Sequence, residues 1–364
     1  MSVYFNINDN LKELSHCYAN IDANVKNITS ICRKEDGVKK IWEKPTIPNK
    51  IFVMTRINDN SIYYSENPVT NNWIRASFTV PIMSLGACTY GNGKFVYIQA
   101  PIEGDKLFRI LYSTDGKVWK PIQTDLSSNG VLVNNISYGN RKFIVGLSNG
   151  KIAYSENLKN WNVVILDASS TARIYGVCYG LAKYIACGTT GSVGMAYVSE
   201  NLVDWQPLNG TMGVAYFDVK FANNSFVLTG NYANYSMIQY TQDGINLTTS
   251  SGFPLSTLKN YQYLLYGNNI FTVLPTSSVY NDTLYAYYSS NGGQSFSRIS
   301  SNLPSNTGGY YSNRGTYGNG LYIYQKGSTF MTSANGYVWS QAYSVSAYGT
   351  SAEICYSADG GYEH

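Results

Sequence analysis

Short runs of alternating apolar and polar residues, broken by glycine and asparagine, fill most of this chain. A period of two puts successive side chains on opposite faces of a strand, so each run predicts a half-buried β-strand. One paired run recurs six times: CTYGNGKFV at 88–96, ISYGNRKFI at 136–144, VCYGLAKYI at 177–185, VKFANNSFV at 219–227, LLYGNNIFT at 264–272 and GTYGNGLYI at 315–323. In each, two apolar stretches flank a tight turn whose residues are mostly Gly or Asn. Both tolerate the positive φ that a two-residue hairpin turn demands, so each copy predicts a β-hairpin.

A second motif trails each hairpin by about 20 to 25 residues. It reads Ser-x-Asp/Asn, a loop, then an aromatic or apolar residue. The copies are STDGKVW at 113–119, SENLKNW at 155–161, SENLVDW at 199–205, TQDGINL at 241–247, SSNGGQSF at 289–296 and SANGYVW at 333–339; an early copy, SENPVTNNW at 65–73, has no hairpin before it. The hydroxyl and the carboxylate or amide suit hydrogen bonds to backbone across a tight turn. The closing aromatic suits packing between neighbouring sheets. This motif resembles the Asp-box, Ser-x-Asp-x-Gly-x-x-Trp, of sialidase-type and related β-propellers. Ser113, Asp115, Gly116 and Trp119 come nearest to its full pattern. The resemblance runs from Ile51 onward and implies an architecture, not an activity.

The closing positions 73, 119, 161, 205, 247, 296 and 339 are 42 to 49 residues apart. About four short strands per repeat of that length is the signature of propeller blades. Seven second motifs against six hairpins leave one blade without an inner hairpin. EICYSADGG at 353–361 aligns with the first strand and turn of a blade, and KIFVMT at 50–55 and SIYYSEN at 61–67 align with the second and third strands. The expectation is an all-β, seven-bladed β-propeller, with six blades as the rival count. The C-terminal strand closes it by pairing with the early strands, which removes exposed sheet edges. The expected blades are 50–77 with 353–364, then 87–122, 134–164, 175–208, 216–249, 262–300 and 314–343.

Residues 1–48 differ from the propeller at 49–364: they carry more charge, fewer Tyr and no blade motif. Leu11-Lys-Glu-Leu14, Val25-Lys-Asn-Ile28 and Val38-Lys-Lys-Ile41 recur at spacings of 14 and 13 residues. They predict a small β-meander-like segment, too short to bury much surface without a partner. The stretches Cys17 to Ile28 and Ile31 to Trp42 resemble the leaders of tail-associated proteins of phages, prophages and phage-tail-like bacteriocins. That resemblance implies a tail, baseplate or tail-fibre protein. Such a protein is made in the bacterial cytoplasm, released by lysis and carried on a virion or phage-tail-like particle.

Composition narrows the chemistry. Charged residues make up only 13% of the chain, against about 25% in ordinary domains, while 34 tyrosines dominate the aromatics. The net charge of +4 is spread without a basic block, which argues against nucleic-acid binding. No run of 18 apolar residues occurs, so membrane insertion is not expected. The start, MSVYFNINDNLKELS, lacks the basic and apolar regions of a secretory signal. The six cysteines (Cys17, Cys32, Cys88, Cys178, Cys187 and Cys355) form no CxxC pair, and the two histidines, His16 and His364, lie at the chain ends. No metal, cofactor or histidine-based catalytic set is therefore expected.

Sialidase-like glycoside hydrolysis is the enzymatic alternative. It needs an arginine cluster, a Tyr nucleophile with a carboxylate partner, and an acid. The eight arginines are scattered, no Arg-Ile-Pro motif precedes the blades, and Asp115, Glu156, Glu200 and Asp243 fall in the second motif, on the outer turns. Binding without catalysis fits the composition better, because Tyr combines a broad apolar face with a hydroxyl at low entropic cost. Tyr232, Tyr235, Tyr280, Tyr310 and Tyr311 lie in inserts outside the repeat and are the candidate ligand contacts. Tyr90, Tyr138, Tyr179, Tyr266 and Tyr317 recur within it and read as core or channel lining. The expected function is a non-enzymatic tail protein. Residues 1–48 join it to other tail or baseplate proteins, and the propeller loops bind a bacterial cell-surface polysaccharide or protein. A purely structural hub of the tail is the remaining alternative.

Overall fold

In the computed structural model the chain divides into two units, Met1–Ile47 and Pro48–His364. The structure describes residues 4–7, 10–13, 18–21, 28–35 and 38–43. From 50 to 356 it describes all but 57–59, 81, 83–85, 100–105, 129–130, 192, 214, 233–234, 254–260, 276–284, 300–313, 327–328 and 345–350. In the first unit Tyr4–Ile7 pairs with Asn10–Glu13, and Tyr18–Ile21, Ile28–Glu35 and Val38–Glu43 form a three-stranded antiparallel sheet.

The second unit is a seven-bladed β-propeller. In blades 2 to 7 the antiparallel strands follow chain order from the axis outward; in blade 2 these are Gly86–Gly91, Lys94–Gln99, Arg109–Ser113 and Val118–Ile122. The inner strands of blades 3 to 7 are Val133–Gly139, Ala172–Gly180, Ala215–Ala222, Tyr261–Gly267 and Arg314–Gly318. Blade 1 is assembled from both ends of the unit. Its inner strand is Ser351–Tyr356, which pairs antiparallel with Phe52–Arg56, placing Ile354 opposite Met54 and Tyr356 opposite Phe52. Inner strands of successive blades touch all the way round, and Ser351–Tyr356 lies between Arg314–Gly318 and Gly86–Gly91. The count is seven, so the six-blade rival is set aside. The blades fall close to the boundaries expected from the repeat; the expected end of blade 1, 357–364, lies outside the described residues.

The core sits between blades. Ile51, Val53 and Ile62 of blade 1 pack with Phe95, Tyr97 and Trp119 of blade 2. Phe330 and Ile323 of blade 7 pack with Phe52, Ile354 and Tyr356 of blade 1. Trp161, Trp205, Leu247, Phe296, Trp339 and Trp73 each belong to an equivalent inter-blade cluster. Trp119 is wholly buried, which at ~25 cal/mol per Å2 and ~200 Å2 of surface is a gross contribution of about 5 kcal/mol.

Antiparallel order gives the ring two unlike ends. The turn between inner and second strands and the second-motif turn between third and outer strands share one end, here the turn end. The connections between second and third strands, and between blades, share the other, the loop end. Asp115 and Asp243 therefore lie on turns between third and outer strands, away from the axis, as the sequence implied. One feature was not legible in the repeat. Ser77–Phe78, leaving blade 1, adds a short parallel fifth strand to the outside of blade 2.

Candidate functional site

The second-motif turns are structural devices. Ser113 Oγ donates to Asp115 Oδ1 (2.9 Å), and the same carboxylate oxygen accepts the backbone N–H groups of Lys117 and Val118, both at 2.9 Å. Trp119 Nε1 then donates to Gly116 O at 3.0 Å. Asn157, Asn201 and Asn335 accept the equivalent pairs of N–H groups. Burial pushes the Asp115 carboxyl up, but the N–H groups of Val118 and Lys117 and the Ser113 hydroxyl outweigh it, and the group is held below the usual carboxylate range. With their hydrogen bonds made to their own turns, these carboxylates are poorly placed to act as general acids.

At the loop end, blade 5 extends as a hairpin in which Tyr232 ends the second strand and Tyr235 begins the third, directly opposite each other. Tyr232 is 46% exposed and Tyr235 half-buried, so the structure brings two of the candidate residues together at one tip. Tyr280, Tyr310 and Tyr311 lie outside the described residues. The strands flanking them end at Pro275, begin at Tyr287, end at Arg298 and begin at Arg314, all at the loop end.

The recurring aromatics form a ring about the axis at the turn end. Tyr90, Tyr138, Tyr179, Phe221, Tyr266, Tyr317 and Tyr356 each pack on the residue opposite in the second strand, at centroid separations of 4.6 to 4.9 Å. Tyr138, Tyr179, Phe221, Tyr317 and Tyr356 also reach into the preceding blade. A Cβ on Gly91 would lie 2.1 Å from Tyr138, one on Gly180 2.1 Å from Phe221, and one on Gly267 2.0 Å from Tyr317. The Tyr-Gly pair is thus an interlock, with glycine vacating the space that the next blade's aromatic fills. Blade 5 departs from this, with Ala222 in the glycine position.

A cavity of about 820 Å3 opens at that departure. It spans the inner turns of blades 4, 5 and 6 and is lined by Tyr179, Phe221 and Tyr266 with Asn223, Asn224, Asn268 and Asn269, along with Leu181, Ala182 and Ala222. None of the lining residues is charged. Tyr266 donates to Asn223 Oδ1 (2.7 Å) and lies 3.1 Å from Asn269 Oδ1, and Asn223 Nδ2 donates to Asn269 O at 3.1 Å. Burial, and then the neighbouring Tyr317, raise the Tyr266 hydroxyl pKa, so it stays a proton donor at neutral pH. Reading the repeat one copy at a time does not reveal this cavity. The available signal is that Phe-Ala-Asn-Asn and Tyr-Gly-Asn-Asn occupy equivalent turns of adjacent blades.

Among the described residues Cys88, Cys178, Cys187 and Cys355 form no disulfide, and burial raises the Cys187 thiol pKa well above its ordinary value, which disfavours the reactive thiolate. Among the described residues no group of three or more His, Cys, Asp or Glu could hold a metal, and no helix is long and apolar enough to cross a membrane.

Neither family models nor curated proteins match this chain. Solved structures do. A structure described as YCF48 bound to D1 peptide is 15% identical, with a TM-score of 0.50 over 79% of this chain and 86% of that one. The computationally designed Ika8 protein, 11% identical, gives 0.47 over 88% and 94%. A nidogen/laminin complex, 8% identical, gives 0.47 over 85% and 98%. At 15% identity the likeness to the YCF48 structure is one of fold alone.

Proposed function

We propose that this chain is a non-enzymatic binding protein of a phage tail or phage-tail-like particle. Residues 1–48 attach it to other tail or baseplate proteins, and the loop end of the propeller meets a polysaccharide or protein on the bacterial surface. The leader's resemblance to tail-associated proteins supports the location. The observation that carries the binding role is the exposed Tyr232 paired with half-buried Tyr235 on a closed ring, because a rigid scaffold that fixes aromatic loop residues lowers the entropic cost of binding. The arginines argue for binding over sialidase-like hydrolysis. Arg56 and Arg75 of blade 1 lie over Tyr63 and Phe78, and Arg298 of blade 6 lies over Tyr285, so each of the three is engaged with an aromatic ring. The peptide-bound state described for YCF48 gives a precedent for a protein ligand.

The test is retention of the purified full chain on susceptible cells and on their extracted wall polysaccharide. The double variant Tyr232→Ala/Tyr235→Ala is expected to be retained about tenfold less, the loss of one or two aromatic contacts. Unchanged retention contradicts the assignment of the loop end. No retention of the parent chain, with tight assembly onto a tail partner, supports the structural hub instead.

A further inference from the structure

We propose that the cavity at the turn end of blades 4 to 6 is a second binding site, specific for a short uncharged saccharide. The site is independent of the Tyr232–Tyr235 tip, since the two lie at opposite ends of the blades.

Its size falls within the ~300–1,000 Å3 of small-molecule sites. Its chemistry is selective. Tyr179, Phe221 and Tyr266 are half-buried and supply apolar surface, onto which the C–H faces of a pyranose stack. Four asparagines surround them, and a carboxamide both donates and accepts, as a sugar hydroxyl does. The four are not equivalent. Asn223 and Asn269 bind each other and Tyr266, which fixes their orientation. The side chains of Asn224 and Asn268 are exposed and make no hydrogen bond among the described residues, which leaves them for a ligand. The uncharged lining offers no counter-charge to a phosphate, carboxylate or ammonium group, so ionic ligands would be desolvated without compensation.

The backbone sets one wall of the cavity. In five of the six described inner turns the residues with positive φ include Asn or Gly; in blade 4 they are Leu181 (φ 50°) and Ala182 (φ 55°), both of which line the cavity. Residues of this kind are disfavoured in the left-handed region; Leu158 (φ 66°) and Leu202 (φ 67°) adopt it too, in second-motif turns away from the cavity, so at Leu181 and Ala182 it defines the shape of the wall. Leu181 also packs against the core between blades 4 and 5, so this wall is anchored.

The test is saturation-transfer NMR and calorimetric titration of the full chain with maltotriose, cellotriose and chitotriose, and with trigalacturonate as the anionic counterpart. At least one neutral trisaccharide is expected to bind, and trigalacturonate is not. Asn224→Asp/Asn268→Asp keeps residues that tolerate positive φ but removes both amide donors and adds charge; it should weaken binding about tenfold or more. Tyr232→Ala should leave the affinity within about twofold. The proposal is overturned by absence of binding from all three neutral probes, by preference for trigalacturonate, by indifference to the Asn variants when their thermal unfolding matches the parent, or by loss of binding in Tyr232→Ala. Failure of the loop-end variant on cells, described above, leaves this result untouched, so the two sites are judged separately.

Discussion

Gly91 has no side chain because Tyr138 of the next blade occupies the place where one would be. The same substitution of space is made at Gly139, Gly180, Gly267 and Gly318. A methyl group at such a position forces an aromatic ring out of a packed interface, an overpacking cost of about 1–3 kcal/mol. Gly91→Ala is therefore expected to lower the urea midpoint without changing the slope of the transition. An unchanged midpoint would show that the ring is not interlocked there. This is also where the sequence could be read and where it stopped. The Tyr-Gly repetition marked a hairpin and placed the aromatic in the core or channel. That glycine serves the neighbouring blade's aromatic was not legible, because these contacts join residues 38 to 50 positions apart, in separate copies of the repeat. The cavity beside Ala222 was hidden for the same reason, since three separate repeats build it.

At the scale of the element, the second-motif turns were the most legible feature of the chain. Local hydrogen bonds over three or four residues need only the right residues in order, so Ser113, Asp115 and Trp119 announced their turn directly. Their chemistry predicts an acid response. Backbone N–H of Asn246 is the leading cause that holds the Asp243 carboxyl low, and Asp115 is held low as well. A carboxyl whose folded pKa is depressed stabilises the fold above its unfolded pKa, about 3.9, and that stabilisation is lost as the pH falls through the folded value. Asn already fills this place in other blades, at Asn157, Asn201 and Asn335, so Asp115→Asn/Asp243→Asn should fold normally at neutral pH. Thermal unfolding of the variant is expected to fall less steeply than the parent's as pH drops below about 4. Parallel curves would mean that these two groups do not contribute to the acid response. The parallel strand Ser77–Phe78 escaped the sequence because two residues carry no period.

At the scale of the molecule, chain ends and chain middle cooperate. Blade 1 takes its inner strand from Ser351–Tyr356 and its other strands from residues 52–75, so ring closure joins segments nearly 300 residues apart. The mismatch of seven turn motifs against six hairpins made that closure legible, and Tyr356 completes both the aromatic ring and the last inter-blade core. Residues on a closed ring hold their spacing, which is what the proposed recognition at either end requires. Hydrogen exchange of the full chain, read by mass spectrometry across 351–356, tests this most directly. The account predicts protection comparable to that of Ala172–Gly180, an inner strand within a continuous blade, because both segments open only when the ring does. Exchange across 351–356 at the rate of an unstructured peptide, with Ala172–Gly180 still protected, would contradict closure by the C-terminal strand.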